Sequence, residues 1–334
     1  MTEKQLIENL RANPFVLAPM AGITDRPFRS FMRELGCGIV VSELVSATGL
    51  KYSSEKTRRL MEFEPSQRPV GIQLFGETLE HLSEAAKIVE QMGADFVDLN
   101  FGCPVPKVVN KGAGSACLRD LGRLRDVIRA TKSAVQIPVT IKVRTGWDQA
   151  TRNTHEVVRV AHDEGVTWVA IHGRTRAAAY TGLADWDYIR EVKLASPVPV
   201  LGNGDITSPA MALERLSVSG CDGVMIGRGC LKNPRIFLEC RTGEAAPSSL
   251  LPILARLQEH LESFYEERIV LLQMRKFAAW YSAGLPGAAQ FRKDLFLMQG
   301  RDEVLGRIHR FYLELGTATP VDTSQEPFLM GGHG

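Results

Sequence analysis

The sequence lacks the cysteine patterns that build metal centres or small disulfide frameworks. Its 334 residues include six cysteines, and none of them stands in a C-x-x-C pair. The spacings fit neither a zinc site nor an iron–sulfur site, and we predict that the protein holds no metal. A chain of this length can form a core without disulfides, so reduced cysteines and a cytoplasmic location are expected.

Long apolar runs and a large excess of either charge are also missing. No segment approaches the roughly 18 consecutive apolar residues of a membrane span. The start of the chain, "MTEKQLIENLRANPF", carries acidic residues and lacks the apolar core of a signal peptide. These features predict a soluble protein without a membrane partner. The net charge of +2 is only mildly basic, so charge alone neither indicates nor excludes an RNA partner.

A third missing feature is the G-x-G-x-x-G turn that normally follows the first strand of a doubly wound dinucleotide-binding sheet. The corresponding turn here reads "PMAGITD". The segment "GAGSAC" from Gly112 has two glycines in the right spacing but lacks the third and follows a long loop. A doubly wound sheet is therefore the less favoured alternative.

Eight short apolar runs rich in Val and Ile are present instead, and each ends in glycine or a polar turn. They begin at Phe15, Ile39, Val70, Phe96, Val139, Trp168, Val198 and Gly223. Their continuity is typical of parallel strands buried on both faces. Helical patterns lie between most of them, and the segment at 46–69 is the weakest because its helix is short and charged. Repeated βα units of this kind predict an α/β fold, a TIM (β/α)8 barrel.

The pattern changes near residue 246, where the runs give way to continuous helical periodicity. We predict three parts: a catalytic barrel at residues 1–245, a small all-helical C-terminal domain at 246–320, and a loose tail at 321–334.

Polar residues or glycines end nearly every predicted strand, where the chemistry of TIM barrels collects. The strand-end residues are Pro19, Met20, Ala21, Glu43, Gln73, Asn100, Cys103, Lys142, Arg144, His172, Arg174, Asn203, Gly204, Asp205, Gly227 and Arg228. The loops "GNGDI" and "IGRG" follow strands seven and eight, which often bind phosphate in this fold. Glycine permits close approach of backbone N–H groups to a phosphate, and Arg228 adds charge-assisted hydrogen bonds.

Two of these residues have more than one chemical interpretation. Lys142 lies in an apolar run, where an ammonium group is costly unless it is paired or bound to a ligand. It suits the N1–C2 edge of a flavin, and a Schiff-base lysine is the alternative. Cys103 is either a nucleophile or, because a free thiol has a pKa of about 8.5, a proton donor. The residues alone do not decide between these roles.

The blocks "LAPMAGITDRPFR", "VGIQLFG", "DLNFGCPVPKV", "GAGSA", "IKVRTGW", "IHGRTR", "GNGDI" and "IGRG" occur in this order along the chain. With "RKFAAWYSAGLPGAAQFRK" in the helical part, they resemble the tRNA-dihydrouridine synthase family, and its bacterial B-type in particular. The resemblance spans nearly the whole chain, and it implies an FMN-dependent enzyme that reduces specific uridines in tRNA to 5,6-dihydrouridine.

The resemblance also implies roles for individual residues. FMN would be lined by Pro19, Met20 and Ala21, contacted by Gln73, Lys142 and His172, and held at its ribityl phosphate by Asn203, Gly204, Asp205, Gly227 and Arg228. NADPH or NADH would reduce the flavin, which would pass hydride to uracil C6. Cys103 would protonate C5, Asn100 and Lys107 would bind the substrate, and the helical domain would grip the tRNA. The enzyme is expected to be a monomer.

Three other functions fit parts of the pattern. A flavin barrel acting on a small molecule would not need the added helical domain. A lysine-dependent aldolase would use Lys142, and a non-catalytic RNA-binding protein would not need Cys103.

Overall fold

A closed barrel of eight parallel strands forms the body of the protein. The computed structural model describes residues 1–52, 54–244, 249–316 and 321. Within them the strands follow one another around the barrel in chain order. They are β1 (Phe15–Leu17), β2 (Ile39–Ser46), β3 (Val70–Phe75), β4 (Phe96–Phe101), β5 (Val139–Arg144), β6 (Val169–His172), β7 (Val200–Asn203) and β8 (Gly223–Ile226). The predicted TIM barrel is confirmed.

Helices surround the barrel and continue beyond it. In the described residues they are α1 (Glu3–Ala12), α2 (Arg26–Glu34), α3 (Ala47–Lys51), α4 (Glu55–Arg59), α5 (Leu79–Gln91), α6 (Pro106–Val109), α7 (Leu121–Lys132), α8 (Thr154–Asp163), α9 (Trp186–Ala195), α10 (Pro209–Ser219), α11 (Gly229–Lys232), α12 (Ile236–Thr242), α13 (Leu251–Glu262), α14 (Glu267–Tyr281), α15 (Ala288–Leu297) and α16 (Arg301–Leu315). Short 3-10 helices lie at Pro65–Gln67, Gly114–Arg119 and Gln149–Thr151.

The helix between β7 and β8 shows how local sequence sets the boundaries of these elements. Helix α10 begins where the Ser208 hydroxyl accepts the Met211 N–H, with Pro209 in the first turn. It ends at Gly220, whose φ of +66° is readily adopted only by glycine. The segment between β2 and β3, by contrast, holds the short helices α3 and α4 and the 3-10 helix at Pro65–Gln67, and α4 buries no side chain.

Helix α1 closes the N-terminal end of the barrel. Its Leu6 and Leu10 pack with Phe96, the first residue of β4, and Trp168, which directly precedes β6, and these two rings meet edge to face at 5.3 Å. A side-chain carbon at Gly71 would lie 2.2 Å from the Phe96 ring, so glycine there makes room for the ring. With this end filled, the opposite end is the place for a site.

The C-terminal helices α13–α16 pack against the barrel through α2 and α11. The rings of Phe28 on α2 and Phe277 on α14 stack at 5.1 Å with an angle of 9° between their planes. The Arg256 Nε and Nη2 groups donate to the two carboxylate oxygens of Glu34 at 2.8 and 2.9 Å. An all-helical C-terminal region is thus confirmed, whereas its assignment to residues 246–320 stays a prediction. The predicted tail at 321–334 lies, apart from Val321, outside the described residues.

Within the described parts of the chain, none of the helices combines the length and apolar character that crossing a membrane requires.

Candidate active site

The barrel register brings the predicted polar residues together at the C-terminal ends of the strands. Five pairs of neighbours lie side by side on adjacent strands: Gln73 with Asp98, Asn100 with Lys142, Arg144 with His172, His172 with Asn203, and Asn203 with Met225. Residues that are far apart in the sequence therefore share one surface, the mouth of the barrel.

A chain of directed hydrogen bonds runs from the buried Asp98 to Cys103. The Gln73 Nε2 group donates to Asp98 Oδ2 at 2.7 Å, which fixes the orientation of the Gln73 amide. The Gln73 Oε1 atom then accepts from Asn100 Nδ2 at 2.8 Å. This leaves Asn100 Oδ1 to accept the backbone N–H of Cys103 at 2.8 Å and that of Gly102 at 3.1 Å. Asp98 itself is anchored by the Thr140 hydroxyl at 2.6 Å.

Cys103 is partly buried at the end of β4, and its backbone is held on both sides. Its carbonyl oxygen accepts the Ser115 hydroxyl at 2.8 Å, while Asn100 binds its N–H. Burial raises the pKa of the Cys103 thiol, and the nearby Arg144 guanidinium acts in the opposite direction. The thiol is therefore protonated at neutral pH, which favours a proton donor over a nucleophile.

Lys142 carries an ammonium group into the mouth from within β5. Its Nζ donates to Asn203 Oδ1 at 3.0 Å, and Asn203 Nδ2 in turn donates to the Met225 carbonyl at 2.7 Å. Burial, reinforced by the charge of Arg144, lowers the pKa of Lys142 to about 8, although Asp98 opposes that change. The lysine is thus a cation near neutral pH, and an anionic partner would stabilise it.

His172 is held in the neutral form among cations. Burial lowers its pKa well below the usual value, and the charges of Lys142, Arg144, Arg174 and Arg228 add to the effect. Its Nε2 lies 3.3 Å from Arg174 Nη1, which can only donate. The ring proton of His172 therefore lies on Nδ1, which leaves that atom as a donor.

Asp205 directs its carboxylate to protein groups. Its Oδ2 atom accepts from Arg174 Nη2 at 2.8 Å and from the Ala184 N–H at 2.7 Å. A carbon added at the neighbouring Gly204 would lie 2.5 Å from Ala184 Cβ and 3.2 Å from His172 Cδ2. The Oδ2 atom of Asp205 thus joins the loops after β6 and β7.

The loop after β1 lies beside the loop after β8. Met20 is buried, and its Sδ would lie 3.6 Å from a carbon added at Gly227. Pro19 is partly buried and Ala21 is exposed, whereas Lys107 is exposed on α6. The structure therefore places Met20 against Gly227 in the mouth, and it leaves Lys107 exposed to solvent on α6.

Several residues of the mouth were not among the predicted site residues. Asp98 begins the hydrogen-bond chain, and its only sequence signal is a carboxylate within the apolar run "FVDLNFG". The ring of Tyr180 lies beneath Arg228 at 4.9 Å and Arg144 at 5.6 Å. Tyr180 comes from the loop after β6, and no sequence pattern marks it.

The charges of the mouth are mainly positive. Among the described residues, Arg144 directs its hydrogen bonds to the carbonyl oxygens of Gly102, Thr175 and Ala179 rather than to a carboxylate. Lys142 donates to an amide, and Arg174 is paired with Asp205. Cations without a paired carboxylate suit an anionic ligand such as a phosphate.

The closed barrel and this mouth define a TIM-barrel enzyme that presents a protonated thiol beside buried cations. Comparison with known families then gives a sharper assignment. The model of the family described as "Dihydrouridine synthase (Dus)" matches residues 16–314. The chain therefore belongs to the dihydrouridine synthase family.

Curated relatives resemble the chain over most of its length. It is 41% identical over 310 residues to tRNA-dihydrouridine synthase B of Pseudomonas aeruginosa. The matched region covers 90% of this chain and 93% of the relative. It is 42% identical over 312 residues to tRNA-dihydrouridine synthase B of Pseudomonas putida, and this match covers 90% of this chain and 92% of the relative. The resemblance to the bacterial B-type is confirmed, and membership in this enzyme family argues against an aldolase and a non-catalytic RNA-binding protein.

Solved structures support the fold alone. Histamine dehydrogenase from Rhizobium sp. 4-9 matches with a TM-score of 0.51 at 16% identity, over 69% of this chain and 46% of that one. The 6-hydroxypseudooxynicotine amine oxidase from Pseudomonas geniculata N1 matches with a TM-score of 0.54 at 16% identity. This match covers 69% of this chain and 47% of the amine oxidase chain.

Proposed function

We propose that this protein reduces specific uridines in tRNA to 5,6-dihydrouridine, with FMN as cofactor and NADPH or NADH as reductant. The observation that carries the proposal is the placement of Cys103. Its partly buried thiol, with a raised pKa, is held at the barrel mouth by Asn100. Family membership and the names of the curated relatives support dihydrouridine as the product and tRNA as the substrate.

The residues of the mouth fit FMN. Lys142 and the Nδ1–H of His172 offer donors to the heteroatoms of a flavin, and Gln73 has a second amide hydrogen beyond the one given to Asp98. Arg228 and the backbone at Gly204 and Gly227 would hold the phosphate. Pro19, Met20 and Ala21 would line the ring. Asp205 would contribute through its backbone, while its Oδ2 atom accepts from Arg174.

Bound FMN, once reduced by NADPH or NADH, would supply the hydride that adds to C6 of the uracil. Cys103 then gives its thiol proton to C5, so the C5–C6 double bond becomes a single bond and the sulfur is left as a thiolate. The Arg144 charge stabilises that thiolate until solvent returns the proton. Asn100 fixes the backbone of Cys103 and thereby the position of the thiol.

The substrate base must leave its stack to reach the mouth, as for other enzymes that act on a base. We propose that the helical region at 246–320 grips the tRNA and that Lys107, exposed on α6, contacts it near the mouth. Phosphate contacts would supply much of the affinity. We also propose that the enzyme acts as a monomer.

The test is a count of dihydrouridine in an unmodified tRNA transcript after incubation with the purified protein, FMN and NADPH. We expect uridines that gain two hydrogens, detected by mass spectrometry, and we expect none when the protein is stripped of FMN or when the reductant is left out. A transcript that remains unchanged with a protein that has bound FMN would contradict the proposed function. NADH in place of NADPH measures the preference between the two reductants.

A further inference from the structure

The loop after β1 is anchored at Gly22 from two sides. The Gly22 N–H donates to the carboxylate of Glu43 on β2. The Gly22 carbonyl oxygen accepts from Lys276 Nζ, 3.0 Å away on helix α14. Gly22 has a φ of +71°, so the chain turns sharply at this residue. The barrel and the C-terminal helices α13–α16 therefore hold the same residue.

Few degrees of freedom are left in the rest of this loop. The Thr24 N–H donates to the Met20 carbonyl at 3.0 Å, and the Met20 N–H donates to the Thr24 hydroxyl at 3.0 Å. The buried Arg29 donates to the Thr24 carbonyl at 2.6 Å. Because Met20 and Thr24 are tied together, the position of Gly22 between them determines where Ala21 and Met20 lie.

Lys276 is itself held in place by the packing of α14. The adjacent Phe277 stacks on Phe28, and the Tyr265 hydroxyl donates to Asp25 Oδ2 at 2.7 Å. Burial lowers the pKa of Lys276, while the nearby carboxylates of Asp25 and Glu43 favour its charged form. The ammonium group thus lies near two acidic side chains and donates its hydrogen bond to Gly22.

We propose that Lys276 is a positioning residue that shapes the loop at residues 18–24 and thereby couples docking of the C-terminal helices to cofactor binding. It acts through the Gly22 carbonyl on Pro19, Met20 and Ala21, the residues proposed to line the flavin. The inference rests on the proposed FMN site, but the shape of the loop can be measured without FMN.

The test compares three variants of the full chain: Lys276→Met, Lys276→Arg and Arg268→Met. Methionine keeps the length of the side chain and removes the donor, whereas arginine retains a charged donor. Arg268 is exposed on the same helix and serves as the matched control for loss of one positive charge. FMN affinity is measured by quenching of flavin fluorescence, without tRNA or reductant, and amide exchange is followed in peptides that cover residues 18–24.

We expect Lys276→Met to raise the Kd for FMN by roughly three- to tenfold and to speed exchange in the loop, because a charge-assisted hydrogen bond is lost. Lys276→Arg should stay within about twofold of the wild type, as should Arg268→Met. If Lys276→Met weakens tRNA binding but leaves FMN affinity and loop exchange unchanged, Lys276 is an RNA contact and the inference is wrong. If the wild type takes up no FMN, the proposed function fails, whereas loop exchange still decides the role of Lys276.

Discussion

The side-chain oxygen of Asn100 accepts the backbone N–H of Cys103 at 2.8 Å. This contact is the last step of a chain in which each amide can point only one way, because Asp98 accepts from Gln73 and Gln73 accepts from Asn100. A buried carboxylate thus sets the position of the thiol through two amides and one backbone group. Connected networks of this kind resist local change more than single bonds do.

This arrangement predicts different effects for two substitutions at Asp98. Asp98→Leu leaves the buried Gln73 Nε2 without its acceptor, which should lower the free energy of unfolding by about 1–3 kcal/mol. Without that acceptor the amides of Gln73 and Asn100 can rotate, so the Cys103 thiol is held less precisely. The rate of dihydrouridine formation should therefore fall by roughly tenfold or more. Asp98→Asn retains an acceptor for Gln73 and should stay close to the wild type. Denaturant unfolding and turnover of both variants check this, and equal turnover of Asp98→Leu and Asp98→Asn would contradict the role of the chain.

Lys142 predicts a pH dependence of cofactor binding. Its pKa of about 8 means that the ammonium form dominates below that pH and is lost above it. The affinity for FMN should therefore fall as the pH rises from about 7 to about 9, by at most about tenfold per pH unit. Titrations of FMN over this range provide the measurement. In Lys142→Met the affinity should be lower at neutral pH and nearly independent of pH, whereas the exposed Lys87→Met should keep the wild-type profile. A flat wild-type profile would show that the ammonium group does not contribute to binding.

The stacked pair of Phe28 and Phe277 predicts that the barrel and the C-terminal helices unfold together. Phe277→Ala should lower the free energy of unfolding by about 3–5 kcal/mol, because both rings are buried at the interface. Phe296→Ala removes a side chain that is 57% exposed and should cost less than about 0.5 kcal/mol. Urea titrations followed by tryptophan fluorescence and by circular dichroism should give coincident transitions. An early transition of the helices alone, with the barrel unaffected, would show that the interface is weak.

The strands of the barrel could be predicted because their signal is local. Val- and Ile-rich runs bounded by glycine mark buried strands, and the runs from Phe15 and Gly223 start where β1 and β8 start. The boundaries of a predicted run can differ from those of the strand by a residue or two. The run that begins at Trp168, for example, corresponds to a strand that begins at Val169. The position of Cys103 at the mouth followed from the same pattern, since it comes just after the fourth run.

The contacts that give these residues their chemistry could not be predicted in the same way. The Gln73–Asp98 bond joins residues 25 apart, and the Lys276–Gly22 bond joins residues 254 apart. The raised pKa of Cys103 results from tertiary burial, which has no local signature. Asp205 matched the expected loop, but its carboxylate faces Arg174 because the loops after β6 and β7 meet there. Such pairings depend on which loops the barrel brings together.

Cys103 is the residue on which the proposed reaction depends most. Cys103→Ala removes the proposed proton donor without touching the groups proposed to hold FMN, so FMN binding and its reduction by NADPH should stay unchanged. Transfer to uridine should slow by roughly 100-fold or more, in the range that general acids contribute. The matched control is Cys117→Ala, which removes a buried thiol from the following segment and should transfer at the wild-type rate.

The most direct measurement reduces each protein with NADPH in the absence of oxygen, mixes it with unmodified tRNA, and follows the return of the flavin absorbance in a stopped-flow instrument. We predict rapid return for the wild type and for Cys117→Ala, and a return at least about 100-fold slower for Cys103→Ala. Return at the wild-type rate in Cys103→Ala, with dihydrouridine formed, would show that Cys103 is not the proton donor.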